Sequence, residues 1–246
     1  MALANGVLVH GPTAWACAVR TPAGEIAVAR GRKPRLRVQR PFLRGPARLL
    51  EALLVLPAIK RQLPQARFAF ERADVIAAFA LAAAAARLLR RSSVAPGARE
   101  LLASAGGVVP ALVALRGGEL AAYHGAEHVA IGRYESGEEA TKEHARCGSH
   151  LLGPLLVASA LAAAVAEQAP RSIRRPAGMA ASLAALGAAT EVFAWMERHP
   201  DHPLARALRW PGYALQRHVA TADPRPEQVA VAEAALWACL DLETAA

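Results

Sequence analysis

Aromatic residues are scarce: five Phe, four Trp and three Tyr supply 5% of the 246 positions. Ala, Leu and Val carry most of the apolar content instead. That composition favours helices over a β-sandwich, which wants β-branched and aromatic bulk. Cysteine is scarcer still. Cys17, Cys147 and Cys239 are odd in number and far apart, which excludes a disulfide framework and points to a reducing compartment. Also missing are G-x-x-x-x-G-K-S/T, G-x-G-x-x-G after a strand, and G-x-S-x-G, so nucleotide and serine-hydrolase chemistry have no support. The opening MALANGVLVHGP lacks a basic stretch and a long apolar core, and so does not read as a secretory signal. Hydrophobic residues at 54% against charged residues at 20% exclude global disorder.

Acidic side chains are nearly absent from the first third. Residues 1–72 hold 13 Lys/Arg and 3 Asp/Glu, while 73–196 hold 11 and 10, and 197–246 hold 5 and 7. The net charge of +9 is therefore concentrated around Arg30, Arg32, Lys33, Arg35, Arg37, Arg40, Arg44 and Arg48. A basic arm next to apolar segments fits the cytoplasmic face of a membrane and its anionic lipids. Nucleic acid is an alternative partner for such charge, but no RRM, KH or zinc-finger pattern accompanies it.

The expected fold is mainly α: a polytopic helical membrane protein with a small N-terminal β-hairpin region and a C-terminal amphipathic helix. Residues 15–30 alternate around a Thr21-Pro22-Ala23-Gly24 turn and read as the hairpin. Residues 44–60 place Leu49, Leu50, Leu53 and Leu54 at helical spacing between basic ends, as in an interfacial helix kinked or ended by Pro57. Four apolar segments follow, at about 75–89, 101–115, 150–166 and 176–196. The third lies in an uncharged run of 20 residues from Cys147 to Ala166, enough to cross a hydrocarbon core of about 30 Å. Three regions are expected: a basic region 1–72, a membrane helical domain 73–196, and a tail 197–246 ending in a helix from about Pro226 to Glu243. Four crossings would put both termini and the 116–149 loop in the cytoplasm, with 22 Lys/Arg inside and 6 in the outer loops. Arg171, Arg174 and Arg175, in a short outer loop, run against that rule.

Four of the eight histidines fall in one window: His124, His128, His144 and His150. Tyr123-His124-Gly125-Ala126-Glu127-His128 contains H-x-x-E-H, the inverzincin arrangement. Residues four apart share a helix face, so His124 and His128 can grip one divalent ion, with Glu127 beside them as general base. His144 and Cys147, three apart in Glu143-His144-Ala145-Arg146-Cys147-Gly148, are candidates to complete the ligand set. Zn²⁺ suits these donors; with Mn²⁺ or Fe²⁺, Glu127 would itself be a ligand. Glu135, Arg146 and Glu191 are candidates for a supporting shell that orients the ligands. His10, His199, His202 and His218, each alone, read as ordinary surface or core histidines.

At YHGAEH the chain resembles the YqhQ-like family of bacterial integral-membrane proteins, a domain of unknown function catalogued as a predicted metal-dependent enzyme. Gly6-Val7 through Gly11-Pro12, Ala18-Val19-Arg20, Gly24-Glu25-Ile26 and Pro41-Phe42-x-Arg44-Gly45 resemble its opening blocks. Tyr134-Glu135, His144-x-Arg146-Cys147-Gly148-Ser149, Pro203-Leu204 and Pro211-Gly212-x-x-Leu215-Gln216 resemble later ones. Asn5 stands where that family usually has Glu, and Ala145 replaces the usual Pro. The resemblance implies a cell-membrane protein with a metal site facing the cytoplasm, and supplies no substrate.

The expectation is a metal-dependent membrane hydrolase acting on a peptide, lipid or other membrane-proximal bond. The rival is a non-catalytic membrane scaffold or assembly factor. Its basic arm would bind anionic lipid, a ribosome or a translocon partner, and its His/Cys cluster would only hold helices together.

Overall fold

A computed structural model describes residues 1–116 and 118–245. The chain opens with four short strands: β1 (Ala2–Leu3), β2 (Gly6–His10), β3 (Ala14–Arg20) and β4 (Ile26–Arg32). They form one antiparallel meander in sequence order, with Gly6 opposite Val19 and Ala14 opposite Arg32. The expected hairpin is the β3–β4 pair, turned at Thr21–Glu25 by a 2.8 Å bond from the Thr21 N–H to the Glu25 carbonyl. It is part of a larger sheet, because β2 pairs with β3 on the other side and β1 pairs with β2.

Strand periodicity sends alternate β3 residues to opposite faces, and both faces are covered. Trp15, Cys17 and Val19 join Leu8, Val55, Ile59, Leu63 and Phe68 in one core. That core is closed by α2 (Leu56–Gln62) and by Val55, the joint where α1 (Arg44–Leu54) ends without burying a residue of its own; Pro57 sits in the first turn of α2, where a missing N–H costs nothing. Ala14, Ala16 and Ala18 face the other way.

A short 3₁₀ turn (Ala69–Glu71) leads into α3 (Ala73–Leu89), α4 (Pro96–Gly106), α5 (Val109–Leu115) and α6 (Glu119–Ser136). A second 3₁₀ turn (Gly148–Leu151) opens α7 (Leu152–Ala166), followed by α8 (Arg174–Arg198) and α9 (Pro203–Leu215). A π-type turn (Gln216–Ala220) precedes α10 (Pro226–Thr244). Helices α6 and α10 cover the second face of the sheet, where Val7 and Ala18 meet Tyr123, Ala126, Val129, Val231, Ala232 and Ala235. Glu243 locks the end of α10 onto the β2–β3 turn, accepting from the Thr13 N–H at 2.7 Å and the Ala14 N–H at 2.6 Å. The first and last segments of the chain thus close on one another.

The apolar segments gather beside this body, with α7 against α8 and α4, and α3 against α4 and α5. Two helical stretches are long and apolar enough to cross a membrane, Gly148–Ala166 and Arg174–Arg198, and only 17% of each apolar window is buried. Of the four expected apolar segments, the third and fourth lie in these two stretches, the described helices that reach membrane-crossing length and hydropathy. Helix α3 has 17 residues. The expected helix over 101–115 starts instead at Pro96 and breaks into α4 and α5 around Gly107-Val108, with Pro110 in the first turn of α5.

Candidate metal centre

Helix α6 starts after Gly118 and stops at Gly137, and its four-residue spacing stacks His124 above His128 with ring centroids 4.4 Å apart. Each ring is held by a backbone carbonyl from elsewhere in the chain. His124 Nδ1–H donates to Ala220 at 2.8 Å, and His128 Nδ1–H donates to Lys142 at 2.5 Å. An imidazole that gives its Nδ1 proton to a carbonyl keeps Nε2 for a metal or another proton.

Gly125 explains how the first of these bonds forms. A Cβ at this position would strike the Ala222 carbonyl, so only glycine lets residues 220–222 run against α6. The Ala222 N–H then donates to Ala121 at 2.9 Å, which sets the Ala220 carbonyl over His124.

Cys147 closes the group. It caps the 3₁₀ turn, its Sγ lies 3.4 Å from His124 Nε2, and the Ser149 N–H donates to it at 3.5 Å. One donor atom from each of His124, His128 and Cys147 lies within 4.8 Å of the other two. Tetrahedral zinc with these ligand types separates its donors by about 3.5 Å, so the three fit one ion with small adjustment. Burial opposes ionisation of the Cys147 thiol, but hydrogen bonds from His124 and His128 and the charge of His124 outweigh it and bring its pKa to about 5. His124 is driven the other way: burial lowers its pKa, and the bond to Cys147 with the nearby Glu127 charge raises it overall. The two shifts are the two sides of one Cys147–His124 interaction, which favours the thiolate and the protonated ring together.

Glu127, the next residue but two from His124, turns into the same cavity of about 730 Å³. Its Oε1 accepts from the Met1 amino group at 2.5 Å, whereas Oε2 is buried without a hydrogen-bond partner. Burial works against its charge, but the Met1 amino group and the two imidazoles hold its carboxyl below the usual range.

The remaining expected residues divide. His144 lies beside His128, ring centroids 5.6 Å apart, but its Nε2 is 3.3 Å from Glu135, and it stands outside the donor group. Arg146 is ion-paired to the same Glu135, so Glu135 holds His144 and Arg146 rather than a ligand. Glu191 is elsewhere: it accepts from Arg44 Nε at 2.8 Å and from the Phe42 N–H at 3.2 Å, tying the start of α1 to α8.

Three contributors escaped sequence reasoning. His10 lines the cavity with a buried, unpartnered Nδ1, and burial together with the Met1 amino charge lowers its pKa to about 4. Gln216 is fully buried; its Oε1 accepts from the His144 N–H at 2.8 Å and its Nε2 donates to Ser149 Oγ at 2.8 Å. It thereby positions both flanks of Cys147. Gly212 gives His150 room to pack, since a Cβ there would meet the His150 backbone and ring. The Gly212 and Gln216 spacing in the tail was the available signal; His10 carried none.

These features define a mainly helical chain with two membrane-length helices and a buried His/His/Cys group able to hold a metal. The chain belongs to the family described as "Protein of unknown function (DUF1385)", whose model matches residues 119–242, from the first residue of α6 almost to the end of α10. No curated protein and no solved structure matches it.

Proposed function

We propose that this protein is a metal-dependent membrane enzyme of hydrolytic type, with its site on the cytoplasmic side. The observation that carries the reading is the convergence of His124, His128 and Cys147 within 4.8 Å, with both imidazoles already oriented by carbonyls. Two imidazoles and a thiolate favour Zn²⁺ over Mn²⁺ or Fe²⁺. Three protein donors opening on a cavity suit a catalytic site, whereas a structural one has four closed ligands. Among the described residues no fourth donor joins the group, which favours the enzyme over the scaffold.

A divalent ion held there supplies Lewis acidity to a water and to the scissile group. The chain's own part is positional and acid–base. Ala220 and Lys142 hold the imidazoles, Glu135 keeps His144 aside, and Glu127 Oε2 takes and returns the proton as general base. The likeness of the HGAEH and RCG blocks to the YqhQ-like family agrees with this assignment. Membrane placement is supported by the open apolar surfaces of α7 and α8, and by the exposed Leu49, Leu50, Leu53 and Leu54 of α1 beside the basic arm, which fits anionic lipid.

Elemental analysis of detergent-purified protein tests the reading. About one equivalent of metal, lost in His128→Ala and retained in Glu127→Gln, is the expected result. A metal-free protein prepared without chelators would refute it.

A further inference from the structure

Two of the arginines that defy the charge rule, Arg174 and Arg175, line a second cavity. It measures about 650 Å³ and lies between the end of α3, α4, the end of α7 and the start of α8, lined by Arg90, Arg99, Arg174 and Arg175 with Glu167 as the one carboxylate among its described residues. Helix α7 leads from beside Cys147 to this cavity, so its 15 residues separate the two sites by about 22 Å.

The guanidinium groups are not equivalent. Arg99 is ion-paired to Glu167 and donates to the Arg90 and Ser92 carbonyls at 3.3 Å each. Arg174 spends one N–H on the Ala169 carbonyl at 3.3 Å. Arg175 has no hydrogen bond or ion pair among the described residues, although it lines the cavity. Both Arg174 and Arg175 stand in the first turn of α8, which has no side-chain cap and no acidic residue. Guanidinium forks and an uncapped helix start share one preference, an anion with several acceptor oxygens.

The surroundings say which anion. The floor is alanine with Ser159 and Ser182, and Leu161, Val165, Met179 and Leu183 around it are 64–72% exposed. A polar pocket opening on bare apolar helix suits an amphiphile, whose phosphate enters while its chains lie along α7 and α8. We infer that this cavity binds the phosphate headgroup of an anionic membrane phospholipid, at the end of the bundle opposite the metal centre. The inference rests on placing α7 and α8 in a bilayer; the bound anion then offsets the arginines that charge distribution alone disfavours there.

Native mass spectrometry of the full chain in detergent tests it, with phosphatidylglycerol, phosphatidylcholine and inorganic phosphate added in separate arms. Expected is a preference for phosphatidylglycerol over phosphatidylcholine of about tenfold, abolished in the double variant Arg174→Gln/Arg175→Gln. Neutralising Arg32, Lys33, Arg35 and Arg37 should leave that preference intact, which separates the cavity from the arm. Metal content, read at the far end, reports that the double variant still folds. Equal retention of both lipids, an unchanged preference in the double variant, or displacement of the lipid by millimolar phosphate would overturn the inference. Extraction of the protein from membranes at alkaline pH would instead sink the bilayer placement itself.

Discussion

Strand β3 and helix α7 are both apolar, yet the molecule treats them in opposite ways. β3 buries six of its seven residues between helical layers. α7 buries only Gly153, Pro154 and Ala166 of its fifteen and leaves Val157, Leu161 and Val165 open. Hydrophobic side chains turned outward along a whole helix have no reason to be stable in water, but match hydrocarbon. The sheet and the helices packed on it thus form a buried core, whereas α7 and α8 leave most of their apolar surface open. The group that could hold a metal lies where they meet, with His124 and His128 from α6 and Cys147 from the turn that starts α7.

That contrast can be broken experimentally. Trp15, 2% exposed on β3, should show the largest effect: Trp15→Ala is expected to destabilise the fold by about 3–5 kcal/mol in chemical denaturation. A change near zero would mean the sheet is not the core. Where the two meet, Gly125→Val drives a side chain into the Ala222 carbonyl and detaches Ala220 from His124. Metal affinity should fall about 10- to 100-fold, measured by competition with a chelator, while the sheet's stability changes far less.

The third effect is pH-dependent. The Cys147 pKa in the folded chain is depressed from 9.0 to about 5, so the thiolate's contribution is complete above 9.0 and fades as pH falls through about 5. Apparent metal affinity, measured by competition with a chelator, should accordingly weaken as pH falls through about 5, where protons compete with the ion for the thiolate. Burial moves the other two thiols upward, Cys17 to about 12, so alkylation of metal-free protein at neutral pH should label Cys147 first. Labelling of Cys17 or Cys239 ahead of it would contradict the assignment. The smallest effect belongs to the lipid-facing side: Leu161→Ala should change stability in detergent by less than about 0.5 kcal/mol. A loss like that of Trp15→Ala would mean α7 is buried against something in solution.

The two halves of the site differed in how far the sequence revealed them. His124 and His128 were legible because a regular helix converts spacing into direction, and Glu127 came with them. Cys147 and His144 could only be offered together. Residues 141–147 form an irregular turn, and which side chain points inward is decided by Gln216 and Glu135, remote bonds that spacing does not encode. His10 was invisible for the same reason: the sheet, not a local motif, carries it to the cavity. Glu191 was drawn toward the metal by its apolar surroundings, but Arg44 claims it. In the bundle, the Gly-Gly and Pro signals that interrupt residues 101–115 were visible, and they end a helix there.

Substitution with Co²⁺ distinguishes an open site with Cys147 as a ligand from a closed one without it. A thiolate-to-cobalt charge-transfer band is expected in the wild-type spectrum and absent in Cys147→Ser, and the visible bands should shift when a small anion is added. A spectrum without the thiolate band would remove Cys147 from the ligand set. One unmoved by anions would mean a closed, structural site.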